Sequence, residues 1–287
     1  MIAPDWSNVG IANMNLLTRK LTAAALFAAP SLFLTTPAEA GVGDLLVAPT
    51  RIILDGGKGA EIVLNNIGDE PATYRISTEF RRMNPDGSLA DVTTPTDREK
   101  AAEDMIIFAP RRVTLAPNEP QSIRIVARPP EGLPDGEYRV HLLFRAIPPT
   151  TPVTKPADAP KGLSFKLIPV YGVTIPVIVR LGSLDVQAGI TNVHLDKKDG
   201  KPVVALDLTR TGARSTFGEV KILKPGVKDP IADEGAVAVY TEINDRKIQV
   251  PVDENYKGDL TGLVTVQYIE KYDDGQKTIA ETQAVLR

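Results

Sequence analysis

A chain of 287 residues with a formal net charge of −3 has no basic excess to displace counterions from phosphates, and 5% aromatics offer few stacking platforms, so nucleic acid is excluded as an expected partner. The absence of cysteine excludes disulfides, thiolate nucleophiles and cysteine metal sites. The 24 prolines and 22 glycines are spread along the chain, which fits many short strands joined by turns.

The first element in chain order is MNLLTRKLTAAALFAAPSLFLTTPAEAGVG, from Met14. Arg19 and Lys20 make a basic start, Leu21 to Thr35 is apolar but short for a bilayer, and Ala38-Glu39-Ala40 is an A-x-A cleavage site. These features predict a signal peptide over residues 1–40, with Met14 as an alternative start. The mature chain would begin at Gly41 and be exported, with no stable membrane insertion after cleavage. The competing reading, a transmembrane anchor, is disfavoured by Pro30 and the small residues that follow.

Next comes APTRIILDGGKGAEIVLNN, where apolar residues alternate around a tight turn and Arg51 stands near the start of the first strand. Taken alone, Arg51 reads as a surface arginine on an edge strand. Further strand-like segments with a period of two are ATYRISTEF, QSIRIVA, EYRVHLLFRAI, VVALDLTRTG, EVKIL, AVAVYTEI and LVTVQYIEKY. Turn chemistry separates them at Asp55-Gly56-Gly57, Asn84-Pro85-Asp86-Gly87, Lys198-Asp199-Gly200 and Asp273-Asp274-Gly275. The one helix-like stretch, Thr96 to Met105, is short. The expected class is all-β, with strands enough for two sandwiches: a first domain over 41–181 and a second over 182–287.

Inside the first domain, the segment PPTTPVTKPADAPKG, residues 148–162, cannot pack a core and predicts a long mobile loop. It leads into a long alternating strand over 163–180, whose one parity carries Leu163, Phe165, Leu167, Tyr171, Val173 and Ile175. Pro169 and Pro176 each remove a ladder donor, so this strand is expected at a sheet edge. An unpaired edge is a liability unless another chain's strand uses it.

TRIILDGG (Thr50 to Gly57), APRRVTLAPNEPQSIRIVARPPEGLPDGEYRVHLLFRAIPP (Ala109 to Pro149) and the strand that follows resemble the PapD-like periplasmic chaperones of pilus assembly. The resemblance lies in the order: T-R on the first strand, P-x-R-x-x-L-x-P with Q-S-I-R, L-P-x-x-E, R-x-I-P-P, a variable loop and a long alternating strand. It covers most of Leu45 to Arg180 and the two-domain layout beyond.

The resemblance implies two immunoglobulin-like domains in an L or boomerang. It implies a chaperone that lends its alternating strand to an incomplete pilus or fimbrial subunit, with an outer-membrane usher receiving the complex. Leu163, Phe165, Leu167 and Tyr171 would be the donor side chains, each burying apolar area worth about 1.5–3 kcal/mol. Arg51 matches the family arginine that anchors the subunit's C-terminal carboxylate between the domains. A guanidinium suits that task, and a hydrogen bond to a charged group contributes about 1.5–3 kcal/mol. Glu137 and Arg180 match two members of the ion cluster that orients the domains.

Two departures mark this chain as divergent. Pro176 stands where the family has a lysine on the donor strand that completes the carboxylate clamp. Lys271 stands where the third, acidic member of the ion cluster belongs, with Glu270, Asp273 and Asp274 as candidates to replace it. Surface ion pairs contribute little, so the expected role of the cluster is orientation only.

Nothing else in the sequence points to chemistry. His141 and His194 are far apart with no metal-ligand spacing around them, DGGKGAE is neither a P-loop nor a dinucleotide fingerprint, and no G-x-S-x-G occurs. No catalytic residue, metal or cofactor is expected. Arg124 reads as structural. The alternative to a periplasmic chaperone is a structural or adhesive surface module. A secreted hydrolase would need an acid/base pair that the sequence does not offer.

Overall fold

The computed structural model describes residues 44–56, 59–148, 170–272 and 275–287. The expected signal peptide, nearly all of the loop over 148–162, and Leu163, Phe165 and Leu167 lie outside the described residues, as do Asp273 and Asp274.

The fold is all-β, as two successive immunoglobulin-like sandwiches. The first contains β1 (Leu45–Ala48), β2 (Ile52–Asp55), β3 (Ala60–Asn66), β4 (Ala72–Glu79), β5 (Arg81–Met83), β6 (Leu89–Asp91), α1 (Asp97–Met105), β7 (Ile106–Ala109), β8 (Arg112–Leu115), β9 (Pro120–Ala127), β10 (Gly136–Ile147) and β11 (Gly172–Leu181). One sheet runs β1-β3-β9-β7 and the other β2-β11-β10-β4-β8; β5 and β6 form a separate hairpin. Strict alternation drives the packing. Ile62 and Leu64 of β3, Ile123 and Ile125 of β9, Leu142 and Phe144 of β10 and Val177 of β11 all point into one core. The chain switches sheets between β1 and β2, and Arg51 sits at that crossing, one residue before β2.

The expected helix is present. Thr96 caps it by accepting from the Glu99 amide at 3.3 Å, while the Glu99 carboxylate accepts from the Thr96 amide at 2.7 Å, a reciprocal capping box. Ala102 and Met105 bury its inner face. Hydrogen bonds from Arg82 and Thr96 hold the Glu99 carboxyl at about 2. The helix is thereby tied to β5.

The second sandwich contains β12 (Val186–Lys198), β13 (Lys201–Gly212), β14 (Thr216–Leu223), β15 (Ala232–Val239), β16 (Asp245–Pro251), β17 (Gly262–Tyr272) and β18 (Gly275–Leu286). Its sheets are β12-β13-β16 and β15-β14-β17-β18, around Val204, Leu206, Val220, Ile222, Val264 and Val266. The β12–β13 hairpin turns on Asp199 and Gly200, at φ 50° and 79°, which a two-residue primed turn requires.

The edge placement of the long alternating strand needs correction. Described pairing begins at Gly172; Tyr171, expected as a donor side chain, lies before the strand and is 55% exposed, its carbonyl accepting from the Ala146 amide at 3.0 Å. Nor is β11 a simple edge strand. It pairs antiparallel with β10 along its whole length and parallel with β2 over Val177 to Arg180. The proline argument missed this because Pro176 stands just before the parallel ladder begins, where its lost N–H breaks nothing. Gly172 to Pro176, with the terminal Leu181, keep a side without a strand partner among the described residues. The odd-numbered face is also used at home: Ile175, Val177 and Val179 are buried in the first core.

Candidate functional site

The candidate site lies where the two sandwiches meet. β2 and β11 bring Arg51 and Arg180 from the first. The β13–β14 connection and the end of β17 bring Arg214, Ser215, Phe217, Glu270, Lys271 and Tyr272 from the second. A cleft of about 480 Å³ is lined by Arg51, Ile53, Asp55 and Arg180 on one wall and by Phe217, Glu270, Lys271 and Tyr272 on the other.

Arg51 is held by one side-chain hydrogen bond and two aromatic rings. Its Nη2 donates to Ser215 Oγ at 3.1 Å. Its guanidinium carbon lies 4.7 Å from the Phe217 ring centroid and 5.5 Å from that of Tyr240. No carboxylate among the described residues comes within ion-pair distance, and its buried Nε has no hydrogen-bond partner. Burial pulls the guanidinium below its ordinary pKa, with Tyr240 and Glu137 acting against that and Arg180 and Arg139 adding to it. A desolvated cation without a counter-ion favours an anion that enters beside it.

Glu137 and Arg180, matched in sequence to an ion cluster, are direct cross-strand neighbours on β10 and β11. Arg180 Nε donates to Glu137 Oε2 at 3.1 Å. The same oxygen accepts from the Ser215 amide at 3.0 Å and the Ser215 hydroxyl at 2.9 Å. Glu137 is only 2% exposed, so the discount expected for a surface pair does not apply. This is a buried, charge-assisted pair fastened to the second sandwich.

Among the candidates to complete that cluster, Glu270 does not reach Arg180. It pairs with Arg214 through two contacts of 2.9 Å, and accepts from the Phe217 amide at 3.2 Å and from the Tyr272 hydroxyl. Burial would raise its carboxyl, but Arg214 and Tyr272 outweigh that and hold it below the usual range. The two ion pairs still converge, since the Ser215 carbonyl accepts from Arg180 at 3.3 Å and from Arg214 at 3.1 Å.

Ser215 and Arg214 were not picked out from sequence. TGARSTFGE reads as an ordinary connection, and its value comes from a neighbour far away in the chain. The same holds for a second fastening. Met83 N and Arg139 Nη2 both donate to Glu242 Oε1, at 2.6 and 2.5 Å, and the Lys247 amide donates to the Pro85 carbonyl at 2.7 Å. Met83, Ile178, Ala238 and Tyr240 form a small apolar cluster there. The β5–β6 hairpin, rooted in the first sandwich, thus grips the second.

His141 is buried beneath this region, opposite Pro176 in register, its ring edge-on to Tyr240 and both ring nitrogens unpartnered. Burial, then the nearby Arg139, Arg81 and Arg51, push its pKa down to about 3. His194 lies exposed on β12 in the other sandwich, and Arg124 is exposed on β9.

No family model matches the sequence, and no curated protein matches it. Solved structures that resemble the chain include the Pseudomonas aeruginosa CupB2 chaperone, at 14% identity and a TM-score of 0.44 over 84% of this chain and all of that one. The E. coli chaperone DraB shares 16% identity at a TM-score of 0.43, covering 86% of this chain and 98% of that chain. A Salmonella enterica structure of the SafA pilin in complex with the SafB chaperone shares 17% at 0.43, covering 85% and 96%.

Proposed function

We propose that this protein is an exported, periplasmic chaperone that binds pilus- or fimbria-type subunits by strand addition and anchors the subunit's C-terminal carboxylate at Arg51. The observation that carries the reading is Arg51 itself: a largely buried guanidinium, aimed by Ser215 and flanked by two aromatic rings, with no carboxylate of its own among the described residues. The ordered sequence resemblance to pilus chaperones supports the same reading.

The strand geometry supports it further. β2 covers one side of β11 only from Val177 onward, and Gly172 to Pro176 leave that side without a strand partner among the described residues. Arg51 stands at the point where the cover ends. A partner strand that pairs along Gly172 to Pro176 and places its carboxylate at Arg51 must run parallel to β11, because its C-terminus lies at the Pro176 end. Backbone hydrogen bonds would supply affinity, and the carboxylate would fix the register. The role needs no catalytic group, nucleotide or metal, and an outer-membrane usher would receive the loaded complex.

The test is co-purification from the periplasm of wild type and Arg51→Ala, with bound proteins identified by mass spectrometry. A stoichiometric β-rich subunit held by wild type and lost by a folded Arg51→Ala protein is the expected result. A subunit retained by the variant overturns the anchor, and no subunit in either sample while neighbouring secreted proteins are expressed favours a structural module.

A further inference from the structure

We propose that Lys271 is the second cation of the carboxylate site, supplied by the second sandwich in place of the lysine that Pro176 removes from β11. The inference rests on Arg51 being the anchor. Register places Pro176 immediately before Val177, the partner of Ile52, and so level with Arg51 on the neighbouring strand. The only other side-chain donor on that wall, Arg180, is already bound to Glu137 and the Ser215 carbonyl. The facing wall of the same cleft carries Lys271.

Apart from Asp55, which lies on the Arg51 wall, the other charges in the cleft are committed. Arg180 is bound to Glu137, and Glu270 is bound to Arg214 and Tyr272. Lys271 is different. Its side chain is 66% exposed, and its Nζ rests 3.0 Å from Glu219 Oε2. Glu219 is also paired with Lys221 at 3.3 Å, so it keeps a partner when Lys271 turns away. An ammonium on a four-carbon stem has the freedom to make that turn, and it offers three donors to an incoming carboxylate. The two departures from the family pattern then explain each other: the cation missing from the strand is present across the cleft, at the position where an acid was expected.

The measurement compares two probes on the exported chain: a short alternating Val–Thr peptide with a lysine tag at its N-terminus, made once with a free C-terminal carboxylate and once as the amide. The quantity read is the affinity ratio of carboxylate to amide. Wild type should prefer the carboxylate, and Arg51→Ala should bring the ratio to about one. Lys271→Gln should lower it about fivefold while Lys271→Arg retains it, the size expected of a partly exposed charge pair. Glu219→Gln should raise it by releasing Lys271. An unchanged ratio in Lys271→Gln, with Arg51→Ala still collapsing it, overturns the role of Lys271 and leaves the anchor standing. Equal treatment of the two peptides by wild type, including uptake of neither, overturns the anchor and this inference with it. Peptide-free unfolding midpoints of the variants separate loss of binding from loss of fold.

Discussion

Acid should weaken this fold through a single buried imidazole. His141 is 1% exposed, and burial together with Arg139, Arg81 and Arg51 lowers its pKa from 6.5 to about 3. Above about pH 6.5 neither the folded nor the unfolded chain protonates it, and its contribution is flat. As the pH falls through that value the unfolded chain takes up a proton that the folded chain refuses until about 3, so stability drops across that window. Each pH unit within the window costs about 1.4 kcal/mol, which amounts to about 2.5 kcal/mol between about pH 7.5 and about pH 4.5. Glu79, the cross-strand neighbour of His141 on β4, is engaged by Arg81 and Thr174, and Glu242 by Arg139 and Met83, while both ring nitrogens stay unpartnered. The perturbation is His141→Phe, which keeps a ring against Tyr240 and removes the titration. Urea unfolding at a series of pH values should show wild type losing about 2.5 kcal/mol more than the variant over that range. Carboxylates such as Glu99 titrate in both proteins and cancel in the difference. Parallel pH curves for the two proteins would refute the reasoning.

Three further substitutions probe the framework. Ser215→Ala removes the hydroxyl shared by Glu137 and Arg51 and should cost about 1–3 kcal/mol in urea unfolding; a loss below about 0.5 kcal/mol would show that the hydroxyl bridges nothing of consequence. Gly218→Ala would place a Cβ 2.2 Å from the Ile269 carbonyl oxygen, where β14 and β17 pack, and should cost more than about 2 kcal/mol. A near-neutral thermal midpoint would mean that the two strands can part there. Thr96→Ala should cost about 1 kcal/mol and Thr96→Ser almost nothing, since only the capping oxygen matters; equal losses in the two would discard the capping-box account.

Alternation made the strands readable because sheet burial has a period of two, and α1 was readable as the one helix-like stretch; its capping box between Thr96 and Glu99 came from the structure. Strands with weak alternation or short length, such as Leu89–Asp91 and Asp245–Pro251, gave little signal. The proline argument over the strand ending at Leu181 failed for a specific reason. A missing donor says where a ladder cannot form, and here the ladder simply starts one residue later, at Val177. Arg51 was singled out through an ordered motif, whereas Ser215, Arg214 and the Met83–Glu242 fastening were not. Their partners come from the other sandwich, and no local pattern encodes that meeting. Glu137 was expected as part of a superficial cluster; its burial depends on the second sandwich covering it.

The parallel pairing of β2 with β11 has a consequence for how the protein matures. β2 comes early in the chain and lies at the end of its sheet; among the described residues its one ladder is with the last strand of the first sandwich. Such a contact between remote segments closes late, because a long loop must be ordered before it forms. Arg51 precedes β2 by one residue, so its position waits on that closure. If the protein binds as proposed, it cannot grip a partner until its own first sandwich is complete, and competence to bind becomes a report that folding has finished.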